Sequence, residues 1–299
     1  MYNLIKEKHK PTFQSKKGAP KMKKFDIYQT ITARIIEQLE QGLIPWTKPW
    51  KGVRSGAFNR ISKQPYSLLN QMLLSKSGEY ATFAQWKKLG GYVRKGEKAE
   101  IVVYWNIIEK EETNSKGEKE IIGIPILKYY NVFHISQVEG VEPLEKPFSD
   151  VQPVENAEQL INDYVTRERI NYKETISNKA YYSPITDSVV VPCKNQYQNV
   201  NDFYATAFHE LTHSTGNKSR LNRITKLAAF GSHEYSKEEL VAEIGSATLL
   251  NLLGLETSKT FRNTAAYIQS WLKVLKNDNR FIVSAASKAD KAVDYILGN

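Results

Sequence analysis

Two imidazoles and a carboxylate fall within five residues in the segment His209-Glu210-Leu211-Thr212-His213. On an α-helix, residues i and i+4 lie on the same face, so His209 and His213 can bind one metal ion. Glu210 then lies beside the open coordination position, where it can accept a proton from a bound water molecule. This pattern is typical of a zinc hydrolase.

Hydrolytic zinc sites use a third protein ligand, and a downstream segment offers candidates for it. Glu239 and Glu243 are one helical turn apart, so one can bind the metal while the other accepts an N–H from a ligating histidine. We expect Glu239 to be the ligand and Glu243 to lie behind a histidine. Two alternatives remain. Glu238 can be the ligand instead, or Ser236 and Glu239 can form a capping box.

The elements that position these side chains are predicted to be helical. Apolar residues follow a helical spacing up to the His-Glu segment, and Gly216 follows as a stop. A second helix is predicted from Ser236, as N-cap, to Gly254. His233 and Tyr235 come just before this second helix and are candidate donors to a developing oxyanion.

The surrounding segments indicate an α+β fold for residues 154–299. A helix is predicted over 157–169 and a β-hairpin over 180–192, before the two helices of the metal site. Two further helices are predicted over 265–275 and 284–297. A small sheet followed by helices, with the HExxH segment on a central helix, is a zincin-like arrangement.

Composition excludes several classes of protein. The chain has 299 residues and one cysteine, so it has no internal disulfide framework and fits a reducing cytoplasm. No apolar stretch is long enough to span a bilayer, and the N-terminus lacks the apolar segment of a secretory signal. We expect a cytoplasmic protein without a membrane partner.

Positive charge is concentrated in the first part of the chain. Residues 1–130 hold 24 Lys and Arg against 12 Asp and Glu, whereas the remainder holds 18 against 20. The net charge of +10 therefore comes from the N-terminal part, which indicates a polyanionic partner there. Residues 1–23 are Lys-rich without a hydrophobic period and are predicted to be a disordered basic arm.

We predict a mixed α/β domain at residues 24–140 and a proline-containing acidic linker at residues 141–153. The segment from Glu109 to Glu120 is predicted to be a charged, solvated hairpin loop. The predicted helices cover 25–42, 66–74 and 83–89, and the predicted strands cover 101–105 and 124–133.

Cations alternate with aromatic residues in this domain, a combination that suits single-stranded DNA. Cations follow a phosphate backbone, and flat rings stack on unpaired bases. Nothing in the sequence resembles a helix-turn-helix or a zinc finger. Half of the tryptophans are expected to be buried in the core instead. The candidate DNA-binding residues are Trp46, Lys48, Trp50, Lys51, Arg60, Tyr66, Trp86, Lys88, Arg94, Lys95 and Lys98.

Several separated motifs, in order, resemble the ArdC family of antirestriction proteins. The resemblance covers the chain from about residue 25 to residue 297. It rests on Gly42-Leu43-Ile44-Pro45-Trp46-x-Lys48-Pro49-Trp50, Thr82-Phe83-x-Gln85-Trp86, Gly90-Gly91-x-Val93-Arg94-Lys95-Gly96-Glu97-Lys98, the HExxH segment with Gly216, Arg220-Leu221-Asn222-Arg223, Glu238-Glu239-Leu240-Val241-Ala242-Glu243 and Ala265-Ala266-Tyr267-Ile268-x-Ser270-Trp271-Leu272.

The resemblance implies an N-terminal single-stranded-DNA-binding domain and a C-terminal zinc metallopeptidase-like domain. It implies that His209, His213 and Glu239 bind Zn²⁺, with Glu210 as the base and Glu243 behind the ligands. The implied role, on a conjugative plasmid or related mobile element, is protection of incoming DNA from host restriction.

Two main hypotheses follow. In the first, the chain binds single-stranded DNA and also cleaves a protein substrate. In the second, it only coats and protects DNA, and its metal site is structural or catalytically silent. A nuclease is disfavoured because hard-metal nucleases use carboxylate-rich sites rather than two histidines and one glutamate.

Overall fold

The computed structural model describes residues 26–47, 56–113, 119–144, 153–224, 233–255 and 264–299. The predicted arm at residues 1–23 and most of the predicted linker lie outside these ranges. Within them, no helix combines the length and the apolar character needed to cross a bilayer. Helices and strands are both abundant, and the predicted α+β class is confirmed.

The described residues of the N-terminal part form three α-helices and six strands. The helices are α1 (Ile27–Glu40), α2 (Leu68–Leu73) and α3 (Phe83–Lys88). The strands are β1 (Ala57–Asn59), β2 (Gly78–Thr82), β3 (Tyr92–Val93), β4 (Glu100–Thr113), β5 (Lys119–His134) and β6 (Val138–Glu139). The predicted helices are all present, whereas β1, β2, β3 and β6 were not predicted.

A four-stranded sheet organises this part, in the order β1-β2-β5-β4. Strand β1 runs parallel to β2, and the other neighbours are antiparallel. Asn70 of α2 covers the edge of β4: its amide donates to the Val103 carbonyl at 2.8 Å and accepts from the Val103 N–H at 2.7 Å. A buried side chain thus replaces a neighbouring strand at this edge.

The prediction of a loop from Glu109 to Glu120 is wrong for most of that segment. The β4–β5 ladder continues to the pair Thr113–Lys119, so both ends of the segment are strand. Only residues 114–118 lie outside the described structure. The charged residues concealed the strands because an exposed hairpin needs no apolar alternation.

The C-terminal part begins with α4 (Pro153–Glu168) and a three-stranded sheet in the order β7-β9-β8. Its strands are β7 (Asn171–Thr175), β8 (Tyr181–Ser183) and β9 (Ser188–Pro192). The α-helices that follow in the described residues are α5 (Val200–Ser214), α6 (His233–Leu252), α7 (Thr264–Asn277) and α8 (Phe281–Leu297). The hairpin predicted at residues 180–192 is present as β8 and β9.

The two parts of the chain share one hydrophobic core. Ile31, Ile35 and Leu39 of α1 are buried in the same cluster as residues of α6, α7 and α8. Trp46 packs edge-on against Trp271 of α7, with ring centroids 5.2 Å apart. Burial of this apolar surface stabilises both parts together, so we expect them to unfold as one unit.

Candidate functional site

Three donor atoms converge between α5 and α6. The Nε2 atoms of His209 and His213 lie 3.1 Å apart. The carboxylate oxygens of Glu239 lie 3.5 Å from His209 Nε2 and 3.4 Å from His213 Nε2. In a tetrahedral zinc site with bonds of about 2.0–2.1 Å, donor atoms are about 3.3 Å apart. The geometry therefore fits a single ion with one further position for water or substrate.

Glu238 lies outside this group of donor atoms. Its Oε1 lies 3.3 Å from Nδ1 of His213, on the side of the ring away from Glu239. Neighbouring residues on a helix point about 100° apart, so Glu238 and Glu239 cannot both face the same ion. The position of Glu238 is that of a carboxylate that orients a ligating imidazole and raises its basicity.

Arg223 holds Glu238 in place and was not predicted to take part. Its guanidinium donates to both Glu238 oxygens, at 2.9 Å from Nε and 2.7 Å from Nη2. It also donates to the Thr212 carbonyl and the Thr215 hydroxyl, each at 2.9 Å. Arg223 therefore connects the end of α5 to the first turns of α6. The sequence contains a signal for this arginine in the Arg220-Leu221-Asn222-Arg223 motif. The spacing of those residues alone does not reveal what Arg223 binds.

Glu243 lies behind His209, one turn along α6 from Glu239. Its Oε1 is 3.7 Å from His209 Nδ1, longer than a hydrogen bond. Burial raises the pKa of Glu243 to about 7. Its Oε2 is buried without a hydrogen-bond partner among the described residues. A small movement of this carboxylate would bring it within hydrogen-bonding distance of the imidazole.

Glu210 is buried between α5 and the sheet. Its side chain is only 8% exposed, and this burial raises its pKa. The neighbouring His209 and His213 favour the ionised carboxylate and partly offset that rise in pKa. A carboxyl group whose pKa is raised toward neutrality can accept a proton and later return it, which is the property required of a general base.

An ion-pair network fixes β8 and β9 against the end of α5. Arg220 forms an ion pair with Asp187 in the hairpin turn and donates to the Ser214 carbonyl at 2.7 Å. The Tyr182 hydroxyl donates to Asp187 at 2.9 Å and accepts from the Asn217 amide at 2.7 Å. These contacts hold β8 and the hairpin turn against the end of α5.

The donor set is suited to a cation. Burial favours the neutral imidazole, yet hydrogen bonds with Glu238 and Glu239 outweigh it and raise the pKa of His213 to about 10. Burial also opposes ionisation of Glu239, but hydrogen bonds from His209 and His213 lower its pKa well below its usual range. A positive charge between these side chains is therefore favourable. A bound metal ion would supply that charge and displace the protons from its ligands.

Ser236 lies inside α6 rather than at its start, because the described part of the helix begins at His233. The expectation that Ser236 is an N-cap, and with it the capping-box role for Glu239, is wrong. Tyr235 is half-buried in the first turn, and the side chain of His233 lies outside the described structure. Their role as oxyanion donors stays a prediction.

Comparison with known proteins gives a consistent result over both parts of the chain. A family model described as the N-terminal domain of anti-restriction factor ArdC matches residues 25–133, and one described as zincin-like metallopeptidase matches residues 155–288. The metal-free crystal structure of antirestriction ArdC protein from plasmid R388 is 34% identical, with a TM-score of 0.72, covering 91% of this chain and 97% of that one. The chain belongs to the ArdC family of antirestriction proteins.

A second ArdC structure bears on the metal. The Mn(II)-bound crystal structure of the R388 protein matches with a TM-score of 0.73 and 34% identity, covering 92% of this chain and 98% of that one. Together with the convergent donors of His209, His213 and Glu239, it indicates a site for a divalent metal ion in this ArdC-family chain.

Curated relatives include larger proteins. Two proteins of Escherichia coli named DNA primase TraC are 35% and 33% identical over 292 residues, which is 90% of this chain. This chain spans only 27% and 20% of their lengths. Protein y4eC of Sinorhizobium fredii (strain NBRC 101917 / NGR234) is 31% identical over 91% of each chain.

Two of the candidate DNA-binding rings are buried in this ArdC-type fold. Trp46 is 4% exposed in the shared core. Trp86 is fully buried, and its indole N–H donates to the Phe133 carbonyl at 2.9 Å. The prediction that these two rings stack on bases is therefore wrong. Their apolar surface fills the interior of the fold. The sequence alone does not distinguish a tryptophan buried in the core from one exposed for stacking on a base.

The other candidates divide into three groups. Arg60 forms an ion pair with buried Glu79 and is only 13% exposed, and Tyr66 is half-buried. Four cations are exposed around α3 and the β3–β4 turn. These are Lys88, Arg94, Lys95 and Lys98. Three candidates lie outside the described residues, namely Lys48, Trp50 and Lys51.

Proposed function

We propose that this ArdC-family protein binds single-stranded DNA through its basic N-terminal part and carries a zinc-dependent peptidase centre between α5 and α6. The peptidase proposal rests on the convergence of His209, His213 and Glu239 beside the buried carboxylate of Glu210. The protein would act in the cytoplasm on incoming DNA, which fits its single cysteine.

Zinc is the metal that this donor set favours. Two imidazoles and one carboxylate with an open fourth position are the ligands of hydrolytic zinc sites, whereas Mg²⁺ prefers six oxygen donors. Metal content of protein purified without added metal, measured by mass spectrometry, tests this. One zinc per chain supports the assignment, and stoichiometric manganese or iron contradicts it.

Glu210 is the proposed general base. A zinc ion at this site would lower the pKa of a bound water and polarise a peptide carbonyl. Glu210 accepts the proton of the attacking water, and burial keeps its conjugate acid stable enough to deliver that proton to the leaving amine. The ion-pair network at Asp187 and Arg220 holds the β8–β9 turn against the end of α5, the helix that carries Glu210.

Replacement Glu210→Gln in the full-length chain tests this role. Removal of a general base lowers hydrolysis by about 100-fold or more and leaves the three donors in place. An unchanged rate of peptide hydrolysis would contradict the proposal. Protection of DNA from a restriction enzyme is then compared between the wild type and Glu210→Gln. Equal protection would assign antirestriction to DNA binding alone, without peptide cleavage.

The full-length chain is the appropriate material for these experiments. A fragment ending near residue 140 would expose the apolar face of α1 and the ring of Trp46, which pack against α6, α7 and α8. Loss of function by such a fragment would report unfolding. Titration of full-length protein with single-stranded and duplex oligonucleotides tests the DNA proposal, and absence of salt-sensitive binding to the single strand contradicts it.

A further inference from the structure

A cavity of about 570 Å³ opens on the N-terminal part, away from the metal centre. Four separated segments form it: α1, the turn before β2, the β3–β4 turn and the turn after β5. Its lining contains four cations and two carboxylates. These are Arg34, Lys76, Arg94, Lys98, Glu97 and Glu100.

Hydrogen bonds already satisfy the Glu100 carboxylate. Its Oε2 accepts from the Ser75 N–H at 2.6 Å and from Arg34 at 3.3 Å. Its Oε1 accepts from the Ser75 hydroxyl at 2.9 Å and the Tyr80 hydroxyl at 3.1 Å. Glu100 therefore holds the wall of the cavity together and has little capacity left to neutralise a further cation.

Glu97 is occupied in the same way. It accepts from the Gln137 amide at 3.0 Å and from Arg94 at 2.7 Å. Lys76 donates to the neutral Ser136 hydroxyl at 3.1 Å, and Lys98 is exposed. Within the described ranges, neither lysine forms an ion pair. The cavity thus carries excess positive charge at Lys76 and Lys98.

We propose that this cavity binds a phosphate group of single-stranded DNA, with Lys76 and Lys98 as the main contacts. The inference rests on the proposed binding of single-stranded DNA and assigns one phosphate contact of that DNA to this cavity. The volume lies in the range of small-ligand sites, so a nucleotide fits beside its phosphate. Lys76 and Arg34 were not among the residues that the sequence indicated.

Exposed rings continue from the cavity along one face of the sheet. Side chains alternate along a strand, so Tyr104 of β4 points to the same face as Glu100. Tyr130 and Lys128 of β5 lie opposite Val102 and Tyr104 and share that face. Tyr104 is 62% exposed and Tyr130 is 47% exposed, so both rings are accessible to unpaired bases of a strand whose phosphate is in the cavity.

The test is a salt series of fluorescence-anisotropy titrations with a single-stranded oligonucleotide. The double variant Lys76→Ala/Lys98→Ala is compared with the wild type and with Lys173→Ala/Lys179→Ala. The control loses the same charge from exposed positions in the C-terminal part. Loss of both lysine contacts to this one phosphate lowers the slope of log affinity against log salt by about 0.7 and weakens binding at low salt. The control should retain the wild-type slope.

Titrations with oligonucleotides that carry or lack a 5′-phosphate identify which phosphate of the strand the cavity binds. If a 5′-phosphate strengthens binding to the wild type and not to the double variant, the cavity binds the strand terminus. If the 5′-phosphate has no effect and the slope still falls, it binds an internal phosphate. Equal slopes and affinities for the double variant and the control overturn the inference while DNA binding itself stands. Absence of binding by the wild type overturns both.

Discussion

Gly245 of α6 lies directly against Thr212 of α5. A Cβ at Gly245 would be 2.7 Å from Thr212 Cγ2 and 3.0 Å from its hydroxyl oxygen. Thr212 is fully buried and immediately precedes His213, and Gly245 is two residues beyond Glu243. This close approach limits how near to each other the two helices that carry the three candidate metal ligands can pack.

We therefore expect Gly245→Ala to force α5 and α6 apart. Overpacking costs about 1–3 kcal/mol of unfolding free energy, against which the better helix propensity of alanine returns about 1 kcal/mol. Metal affinity should also fall because Glu239 moves away from the histidines. Urea unfolding and titration against a chromophoric chelator measure the two effects.

A second substitution provides the control for this prediction. Thr212→Ala removes Cγ2 and the hydroxyl, so the Gly245→Ala/Thr212→Ala variant has room for the new methyl group. Its metal affinity should exceed that of Gly245→Ala alone. Additive losses in the double variant would show that the contact does not set the helix separation.

Arg223 should contribute to metal affinity without contacting the metal. Arg223→Gln removes the ion pair with Glu238 and leaves that carboxylate free to turn away from His213. Loss of such a partner typically weakens metal binding by about 10–100-fold. Chelator competition measures the change. Arg169→Gln, at an exposed position, is the matched control, and equal affinities for the two variants would contradict the prediction.

Asp290 should make stability depend on pH. It accepts the Leu68 N–H at the start of α2, and burial, with a smaller contribution from Asp294, raises its pKa from 3.8 to about 6. The folded state therefore holds the proton more tightly than the unfolded state. This stabilisation is fully present below about pH 4 and is lost as the pH rises through about 6.

Asp290→Asn keeps an acceptor for the Leu68 N–H and removes the titration. Relative to the wild type, it should be more stable at pH 7.5 than at pH 4.5, by urea unfolding at the two values. Asp163→Asn, at an exposed position on α4, serves as control and should show no such difference. Identical pH profiles for wild type and Asp290→Asn would refute the prediction.

Trp46 should be essential for stability of the whole chain. Trp46→Ala removes the ring that packs on Trp271 and should cost about 3–5 kcal/mol. Leu43→Ala, at a position 57% exposed, should change the unfolding free energy by less than about 0.5 kcal/mol. Because the core is shared, unfolding monitored in either part should give one coincident transition. Two separate transitions would contradict this.

The sequence by itself determined the elements with strong local signals. Helical periodicity located α1, α5 and α8. The spacing of His209 and His213 predicted that the two imidazoles converge, because side chains one turn apart share a face whatever the rest of the chain does. The concentration of positive charge in residues 1–130 likewise follows from the sequence alone. The short strands β1, β2, β3 and β6 escaped prediction because their stability comes from pairing with distant segments.

Only the tertiary structure decided where each of two adjacent glutamates lies relative to the histidines. The rotation of α6 against α5 places Glu239 at the imidazole Nε2 atoms and Glu238 at Nδ1 of His213, a choice that two adjacent glutamates cannot reveal in sequence. Packing buries Trp46 and Trp86 and leaves Tyr104 and Tyr130 exposed. The cavity at Lys76 and Lys98 comes from four distant segments, and no local pattern encodes their meeting because long-range packing brings them together.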